Sequence, residues 1–318
     1  MTFEEQPKKH LEKFVLLAHF DWSIQPTKRW QTVAVPSGSN TYRIVSSSQA
    51  PPCPELFPSL QQQANEGPIF AGFDFPIGLP MAYAEKCNIV SFREMLPRFG
   101  HGEWADFYNP ALVPEQIQLK RPFYPQRAGG TKKYHQLDAL GLNSSTDLLR
   151  QCERATSTRP KACELFWTLG ANQVGKAAIT GWRDLLAPAL QEGQINLWPF
   201  DGELTQLLQP RRITVAEVYP AEFYSRLGIP SRFGKTTQHA RAAQAPAILS
   251  WCRSNQVTMP QDLRLALEVG FNQSVTGEDQ FDSLVGLLGM IESVRHPSRF
   301  AAPDPLLIQS IEGWILGR

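Results

Sequence analysis

The sequence predicts an α/β fold built on a mixed sheet, with an opening element order of β-β-β-α-β. The first observation is a run of strand-like, helix-like and again strand-like segments over the first 75 residues. The second is the return of strand patterns after residue 194, beyond a long stretch with a mostly helical pattern. With 318 residues and about 150 residues for a typical domain, the chain has room for two domains or for one core with a large insertion, and the return of the strand pattern favours the second. We therefore expect a core from residues 1–80 and 194–318, interrupted by a mostly helical insertion at 81–193.

The N-terminal elements follow from local composition. Lys13 to Trp22 is an apolar run of the length of a buried strand. Trp30 to Val35 and Thr41 to Val45 are rich in β-branched and aromatic residues, and the Pro-Ser-Gly-Ser-Asn sequence between them is typical of a turn. These three segments predict an antiparallel meander. Pro54 to Asn65 has the composition of a helix, and Ile69 to Phe75 reads as the next strand.

The C-terminal part continues with strands and then helices. Strands are predicted at Ile195 to Phe200 and at Ile213 to Tyr219. The last helix opens with three acids and carries apolar residues at core-facing spacing, as expected for a helix packed on the sheet. The predicted helices are Ala221 to Leu227, Gln238 to Cys252, Pro260 to Val269 and Gly277 to Val294.

Composition excludes several classes of protein. The 31 Lys and Arg nearly balance the 30 Asp and Glu, so the overall field does not favour binding to nucleic acid. The five cysteines form no CxxC pair and the six histidines no HExxH pattern, which argues against a disulfide framework and a zinc site. No run approaches the roughly 18 apolar residues of a membrane helix, and the N-terminus does not resemble a secretory signal. We expect a cytoplasmic protein without a membrane partner; nothing in the sequence identifies a protein partner.

Four carboxylates are the candidates for catalysis. Asp21 and Asp74 end two apolar strands, where α/β sheets place their ligands, and Asp279 and Asp282 share one face at the start of the last helix. If that helix packs beside the strand ends, the four acids converge and repel one another unless cations bridge them. Hard oxygen ligands suit Mg²⁺ or Mn²⁺. Two such ions about 4 Å apart activate water and stabilise both oxygens in phosphodiester hydrolysis.

Each acid also has a structural alternative. Asp279 is placed to interact favourably with the helix dipole, and Asp282 fits a solvent-exposed acid in the first turn of the helix. Asp21 and Asp74 fit the role of caps for the turns that follow their strands. Glu217, on the late strand, is either a fifth metal ligand or the partner of a nearby arginine.

Two basic segments are candidates for substrate binding. The segment Lys120 to Lys161 holds nine basic residues and three acids. Within it, Arg121 to His135 interleaves cations with aromatic residues, a mixture that can bind a single-stranded nucleic acid through phosphate contacts and base stacking. The alternative is a solvated loop whose aromatic residues pack on the core. Gly228 to Thr236 (GIPSRFGKT) has five residues between its glycines where a P-loop has four, and it follows a helix, so it specifies no phosphate cradle. The predicted phosphate contacts are Arg127, Lys132, Lys133, Arg232, Lys235 and Arg241, with an exposed loop as the alternative for the last three.

A set of short strings carries a resemblance to a known family. In chain order they are FDFPIGLP (73–80), AEVYPAEFY (216–224), GEDQFDSLVGLL (277–288) and EGWIL (312–316), after a first strand that ends on Asp21 with Trp30 nine residues on. Together they resemble the domain-of-unknown-function family 429, at both ends of the chain but not between about residues 81 and 193. That resemblance implies a ribonuclease H-like fold and a nuclease.

Residue by residue, the resemblance implies metal ligation by Asp21 on the first strand, Asp74 on the fourth, and Asp279 with Asp282 on the helix. The Asp-x-x-Asp spacing is similar to that of Holliday-junction resolvases of the same superfold. His19 stands where these proteins often have glycine, which predicts crowding where a phosphate backbone approaches the strand.

The sequence as a whole predicts a metal-dependent nuclease that uses two Mg²⁺ or Mn²⁺ ions, with DNA and RNA both open. Because the same fold hosts other chemistries, two alternatives stand beside it. One is a phosphotransferase or nucleotide hydrolase, and the other is a non-catalytic protein that binds nucleic acid or acts as a scaffold.

Overall fold

A single mixed sheet organises the protein. The computed structural model describes residues 13–155, 160–170, 174–273, 276–303 and 306–318, and these contain an eight-stranded sheet of order β5-β6-β4-β1-β2-β3-β7, with β8 beside β6. Strand β2 is antiparallel to both its neighbours, and all other pairs are parallel. The strands are β1 Leu16–Asp21, β2 Trp30–Gly38, β3 Thr41–Gln49, β4 Ile69–Phe73, β5 Ile195–Leu197, β6 Ile213–Val218, β7 Val257–Thr258 and β8 Ile315–Leu316.

Helices cover both faces of this sheet, so the prediction of an α/β protein with a mixed sheet is confirmed. The predicted β-β-β-α-β opening and its antiparallel meander are also present. No helix among the described residues has the length and apolar character needed to cross a membrane. The α-helices are α1 Cys53–Gln63, α2 Met81–Lys86, α3 Phe92–Met95, α4 Tyr134–Leu140, α5 Val174–Gly181, α6 Ala187–Gln191, α7 Gln238–Ala242, α8 Ala245–Ser254, α9 Gln261–Glu268 and α10 Thr276–Arg295.

Two predicted helices differ from the observed structure. The segment expected to form one helix over Gln238 to Cys252 contains both α7 and α8, because Pro246 near the start of α8 has no N–H to continue the hydrogen bonding of α7. The helix expected over Ala221 to Leu227 is a pair of 3₁₀ turns.

The insertion is less helical than predicted. Between α3 and α4 the described chain has only 3₁₀ turns and loops, since proline and positive-φ glycine recur there, as at Pro97, Gly100 and Pro110. The longest helical run, α5 to α6, contains a π-helical turn at Trp182–Leu186. Side chains of this segment join α1 and one face of β1 in a common hydrophobic core. The insertion thus covers one face of the sheet.

Helix α10 covers the other face, and it lies very close to β1. His19 is completely buried there, and a Cβ at Gly286 would lie 2.2 Å from its ring. The Ser283 hydroxyl donates to the His19 carbonyl at 3.2 Å and lies 2.8 Å from the Thr32 hydroxyl on β2. Burial lowers the pKa of His19 to about 4, so the imidazole is neutral. The expectation that His19 crowds a substrate was wrong, because its side chain lies beneath α10.

Gly286→Ala tests this close approach. We expect it to destabilise the protein by about 2 kcal/mol, because overpacking against the buried ring exceeds the roughly 1 kcal/mol gain in helix propensity. The measurement is urea unfolding of the single variants and of the double variant with His19→Ala. In the His19→Ala background the cost of Gly286→Ala should nearly disappear; an equal cost in both backgrounds would contradict the proposed contact.

A buried arginine connects the insertion to the core. Arg150 has no exposed side-chain surface, and it donates to both carboxylate oxygens of Glu217 on β6, at 2.7 and 2.8 Å, and to Glu153. Its Nη1 also donates to the carbonyls of Ile77 and Glu312. Four segments distant in sequence therefore depend on one guanidinium, whose planar fork matches these acceptors.

Arg150→Met should cost about 3–5 kcal/mol, because it leaves the buried carboxylates without a counter-ion. Chemical denaturation gives the free energy of unfolding. Arg211→Met is the matched control, since its ion pair with Glu66 is 73% and 66% exposed on the two sides and should contribute less than about 1 kcal/mol. Equal losses in the two variants would contradict the importance of the buried network.

Candidate active site

The four predicted carboxylates, from three elements, line one cavity of about 690 Å³ together with Glu153, Glu217 and Glu278. Asp21 is the last residue of β1, and Asp74 directly follows β4, its parallel neighbour, where Phe20 is paired with Phe73. The packing of α10 on β1 adds Asp279 and Asp282. The convergence that the sequence predicted conditionally therefore occurs, because parallel strands end at the same edge and the first turns of α10 lie beside it.

The electrostatics of the cluster reflect crowding of like charges in a buried place. Burial, then the charges of Asp74, Asp282 and Asp279, raise the pKa of Asp21 well above its ordinary value. Burial raises the pKa of Asp74 to about 7. Burial and the neighbouring Asp282 raise the pKa of Asp279 to about 6. The cluster is therefore partly protonated near neutral pH until positive charge is added.

Hydrogen bonds fix the two strand-end acids. The Asp74 carboxylate accepts the Trp22 backbone N–H at 2.7 Å, and it accepts a hydrogen bond from the protonated carboxyl of Asp21. The bond joins Asp74 to the segment that follows β1, so it is not the cap of Asp74's own following turn that the sequence left open. It does not use the whole carboxylate, because the same group faces Asp21.

A lysine already supplies one positive charge. Lys235 lies with its Nζ 2.5 Å from Asp282 Oδ2 and 3.1 Å from Glu278 Oε1. The Tyr224 hydroxyl donates to the other oxygen of Asp282 at 3.4 Å. Burial raises the pKa of Asp282 while the Lys235 ammonium lowers it, so this carboxylate is the best compensated of the four.

The donor set has the chemistry of a divalent-cation site. The oxygens are hard ligands from acids whose charges oppose one another, and Asp279 Oδ2 is buried with no hydrogen-bond partner among the described residues. Within the described ranges, no three Asp, Glu, His or Cys residues are arranged closely enough to hold one metal ion together. The residues fit a metal by donor type and by the unpartnered oxygen.

The predicted basic contacts are dispersed. Arg232 is exposed and lines the carboxylate cavity together with Lys235. Arg241 is buried and donates to the carbonyls of Gly270, Lys235 and Asn272, so it braces the Lys235 loop and does not line the cavity. This loop follows a 3₁₀ turn, in agreement with the absence of a P-loop.

The three predicted contacts in the insertion lie outside the cavity wall. Arg127, Lys132 and Lys133 are exposed, and Lys133 forms an ion pair with Glu164. The aromatic residues of this loop differ in exposure. Phe123 and Tyr124 are buried, which agrees with the alternative that they pack on the core, whereas Tyr134 is 51% exposed.

Glu217 is the partner of an arginine, the alternative that the sequence left open. Its two carboxylate oxygens accept from Arg150, and Oε2 also accepts the Ile77 N–H at 2.8 Å. These bonds occupy the oxygens that metal ligation would need. Glu217 therefore acts as the partner of Arg150, unlike the four acids of the cluster.

Sequence reasoning missed several residues at the cavity. Glu278 precedes two predicted acids, and its i, i+4 spacing to Asp282 was a usable signal for a shared helix face. Tyr224 closes the AEVYPAEFY string without any pattern that predicts its contact with Asp282. Lys28 and Lys176 line the cavity from distant segments, which spacing in the sequence cannot indicate.

The stability of the metal-free protein should depend on pH through Asp74. A carboxyl whose pKa rises on folding, here from 3.8 to about 7, binds more protons in the folded state, so its contribution to stability is lost as pH rises between those values. In EDTA, the melting temperature of Asp74→Asn minus that of the parent should therefore increase as pH rises from about 4 to about 7.

Differential scanning fluorimetry across this pH range measures the effect. Asp138→Asn, an exposed position on α4, is the control and should show a constant difference from the parent. A difference for Asp74→Asn that shrinks with rising pH would contradict the proposed charge crowding.

Comparison of the chain with models of protein families, with characterised proteins and with solved structures found no match in any of the three. The resemblance to family 429 accordingly stays a prediction.

Proposed function

We propose that this protein is a divalent-metal-dependent nuclease that hydrolyses phosphodiester bonds of a nucleic acid. The observation that carries the proposal is the convergence of Asp21, Asp74, Asp279 and Asp282 from β1, β4 and α10 on one cavity. We assign Asp21, Asp74 and Asp282 as the principal ligands and Asp279 as a supporting one.

A ribonuclease H-like core is part of the proposal. Its support is the strand order β3-β2-β1-β4-β6 with β2 alone antiparallel, together with the helix α10 that delivers acids to the ends of β1 and β4. The family resemblance noted in the sequence rests on strings from these same elements.

The four acids would hold Mg²⁺ or Mn²⁺, two ions as the sequence predicts. Their side chains would have to draw closer to do so, because no three of the described acids are near enough to share one ion. When bound, such ions lower the pKa of a coordinated water and offset the charge that develops on the phosphate oxygens. Positive charge at the cluster would ionise Asp21 and free it from its hydrogen bond to Asp74.

The chain's own groups have separate tasks. Trp22 N–H holds the Asp74 carboxylate, and the Tyr224 hydroxyl with the Lys235 ammonium orients Asp282. Lys235 and the exposed Arg232 are two of the four cations that line the cavity, beside Lys28 and Lys176, which suits an anionic phosphodiester beside an acidic cluster.

Cleavage assays test this function directly. The purified protein is incubated with Mn²⁺ or Mg²⁺ and with single-stranded, duplex, hybrid and branched DNA and RNA. We expect metal-dependent cleavage that Asp21→Asn and Asp74→Asn reduce by more than about 100-fold, the scale for loss of one preorganised active-site group. The control Asp138→Asn should cleave at the rate of the parent.

Metal binding provides an independent readout. Isothermal titration with Mn²⁺ should give binding to the parent that both Asp21→Asn and Asp74→Asn abolish. Cleavage that survives both substitutions, or a folded parent that cleaves no substrate in the panel, would refute the nuclease. Phosphate release from nucleoside triphosphates by the same acids would instead support the nucleotide hydrolase.

A further inference from the structure

A second cavity, of about 910 Å³, adjoins the carboxylate cavity. Ile24 and Lys176 belong to the walls of both, so these two side chains are the boundary between them. We refer to the second space as the proline-lined cavity, after the prolines in its wall. They are Pro26, Pro51, Pro52, Pro54 and Pro110.

The wall of the proline-lined cavity suits a flat, partly polar ligand. Proline rings and Ile179 supply rigid apolar surface, and the amide side chains of Asn109 and Gln126 supply both donors and acceptors. Small-molecule sites typically combine a volume of about 300–1,000 Å³ with apolar walls and a few polar groups. A nucleobase with its sugar matches this combination, because its faces are apolar and its edge is polar.

Lys176 is an unpaired cation at the boundary. Its side chain is half-buried on α5, and within the described part of the chain its Nζ forms no ion pair or hydrogen bond. Arg29 and Arg183, the other cations of this wall, are already engaged. The guanidinium of Arg29 stacks on Trp22 at 4.0 Å, and Arg183 pairs with Asp184.

The position of Lys176 is coupled to the catalytic acids. The Trp22 indole N–H donates to the Thr180 hydroxyl on α5 at 3.1 Å, and Trp22 directly follows Asp21. One turn of the helix separates Thr180 from Lys176. This buried hydrogen bond therefore places the turn of α5 that carries Lys176 beside the segment that follows Asp21.

Tyr108 adds an independent sign of a ligand. The residue lines the proline-lined cavity and is only 5% exposed, yet its hydroxyl has no hydrogen-bond partner among the described residues. A buried hydroxyl without a partner is destabilising, because it has lost its hydrogen bonds to water. The hydroxyl oxygen has almost no accessible surface and Tyr108 also lines a smaller neighbouring cavity, so a polar edge of a ligand in the proline-lined cavity would satisfy the hydroxyl only after a shift of the ring.

We propose that the proline-lined cavity binds the nucleotide next to the reacting phosphodiester of a single-stranded nucleic acid. Lys176 contacts the phosphate between the two cavities, and the base enters against the prolines. The concave site requires an unstacked base, which a single strand offers and a duplex does not. The identity of this ligand rests on the proposed nuclease function, whereas the site itself rests on the cavity, Lys176 and Tyr108.

Binding is measured without cleavage. The probe is a fluorescein-labelled oligothymidylate of roughly eight nucleotides, a typical length for a single-strand site, titrated in EDTA and followed by fluorescence anisotropy. Lys176→Ala should raise the Kd about three- to tenfold and reduce the slope of log K against log salt by about 0.7, the value for one phosphate contact on a single strand.

Two further variants define the site. Thr27→Glu places a negative charge at an exposed position of the proline-lined cavity and should also weaken binding. Lys86→Ala removes the same charge as Lys176→Ala from an exposed position outside both cavities and should leave the Kd and the salt slope unchanged.

The outcomes separate this inference from the proposed function. An unchanged Kd and slope in Lys176→Ala overturns the site even if the parent cleaves nucleic acid with Mn²⁺. Displacement of the probe by an equal concentration of duplex also overturns it. Lys176-dependent binding by a parent that never cleaves supports the site and refutes the nuclease.

Discussion

The close contact between α10 and β1 is the constraint on which the candidate site depends. Gly286 has no side chain, and the space is filled by the buried imidazole of His19. The hydroxyls of Ser283 and Thr32 fix the helix along its axis. Because Asp282 directly precedes Ser283, this packing decides how near the helix acids come to Asp21 and Asp74. A side chain at Gly286 would push the helix away and widen the carboxylate cluster.

His19 and Gly286 are complementary in size. The strand carries a large buried residue, and the glycine of the helix provides the room for it. Neutral histidine is tolerated here because its Nε2 lies 3.2 Å from the Val218 carbonyl of β6. The edge of the cavity is consequently left free of this side chain, and the acids at the strand ends stay accessible from the cavity.

A second buried interaction holds the other side of the site. Arg150 binds Glu217 on β6 and the carbonyl of Glu312 near the C-terminus, so buried polar contacts join the insertion to the sheet. On this face, α5 is joined to Trp22 through Thr180. Through these contacts Lys176 stands beside the carboxylate cavity, although about 150 residues separate it from Asp21.

The sequence by itself determined the α/β class, the opening order of elements and the four acids. Each of these depends on local patterns: apolar runs that end on aspartate, turn composition and helical spacing. It overestimated the helix content of the insertion, because the composition was taken as helical although proline and positive-φ glycine interrupt the backbone there. Only the tertiary structure decided the partners: Glu217 with Arg150, Lys235 with Asp282, Arg241 with backbone carbonyls, and Lys176 between two cavities. Such pairings join residues that are distant in the chain, and distance in space is set by packing, which local sequence does not encode.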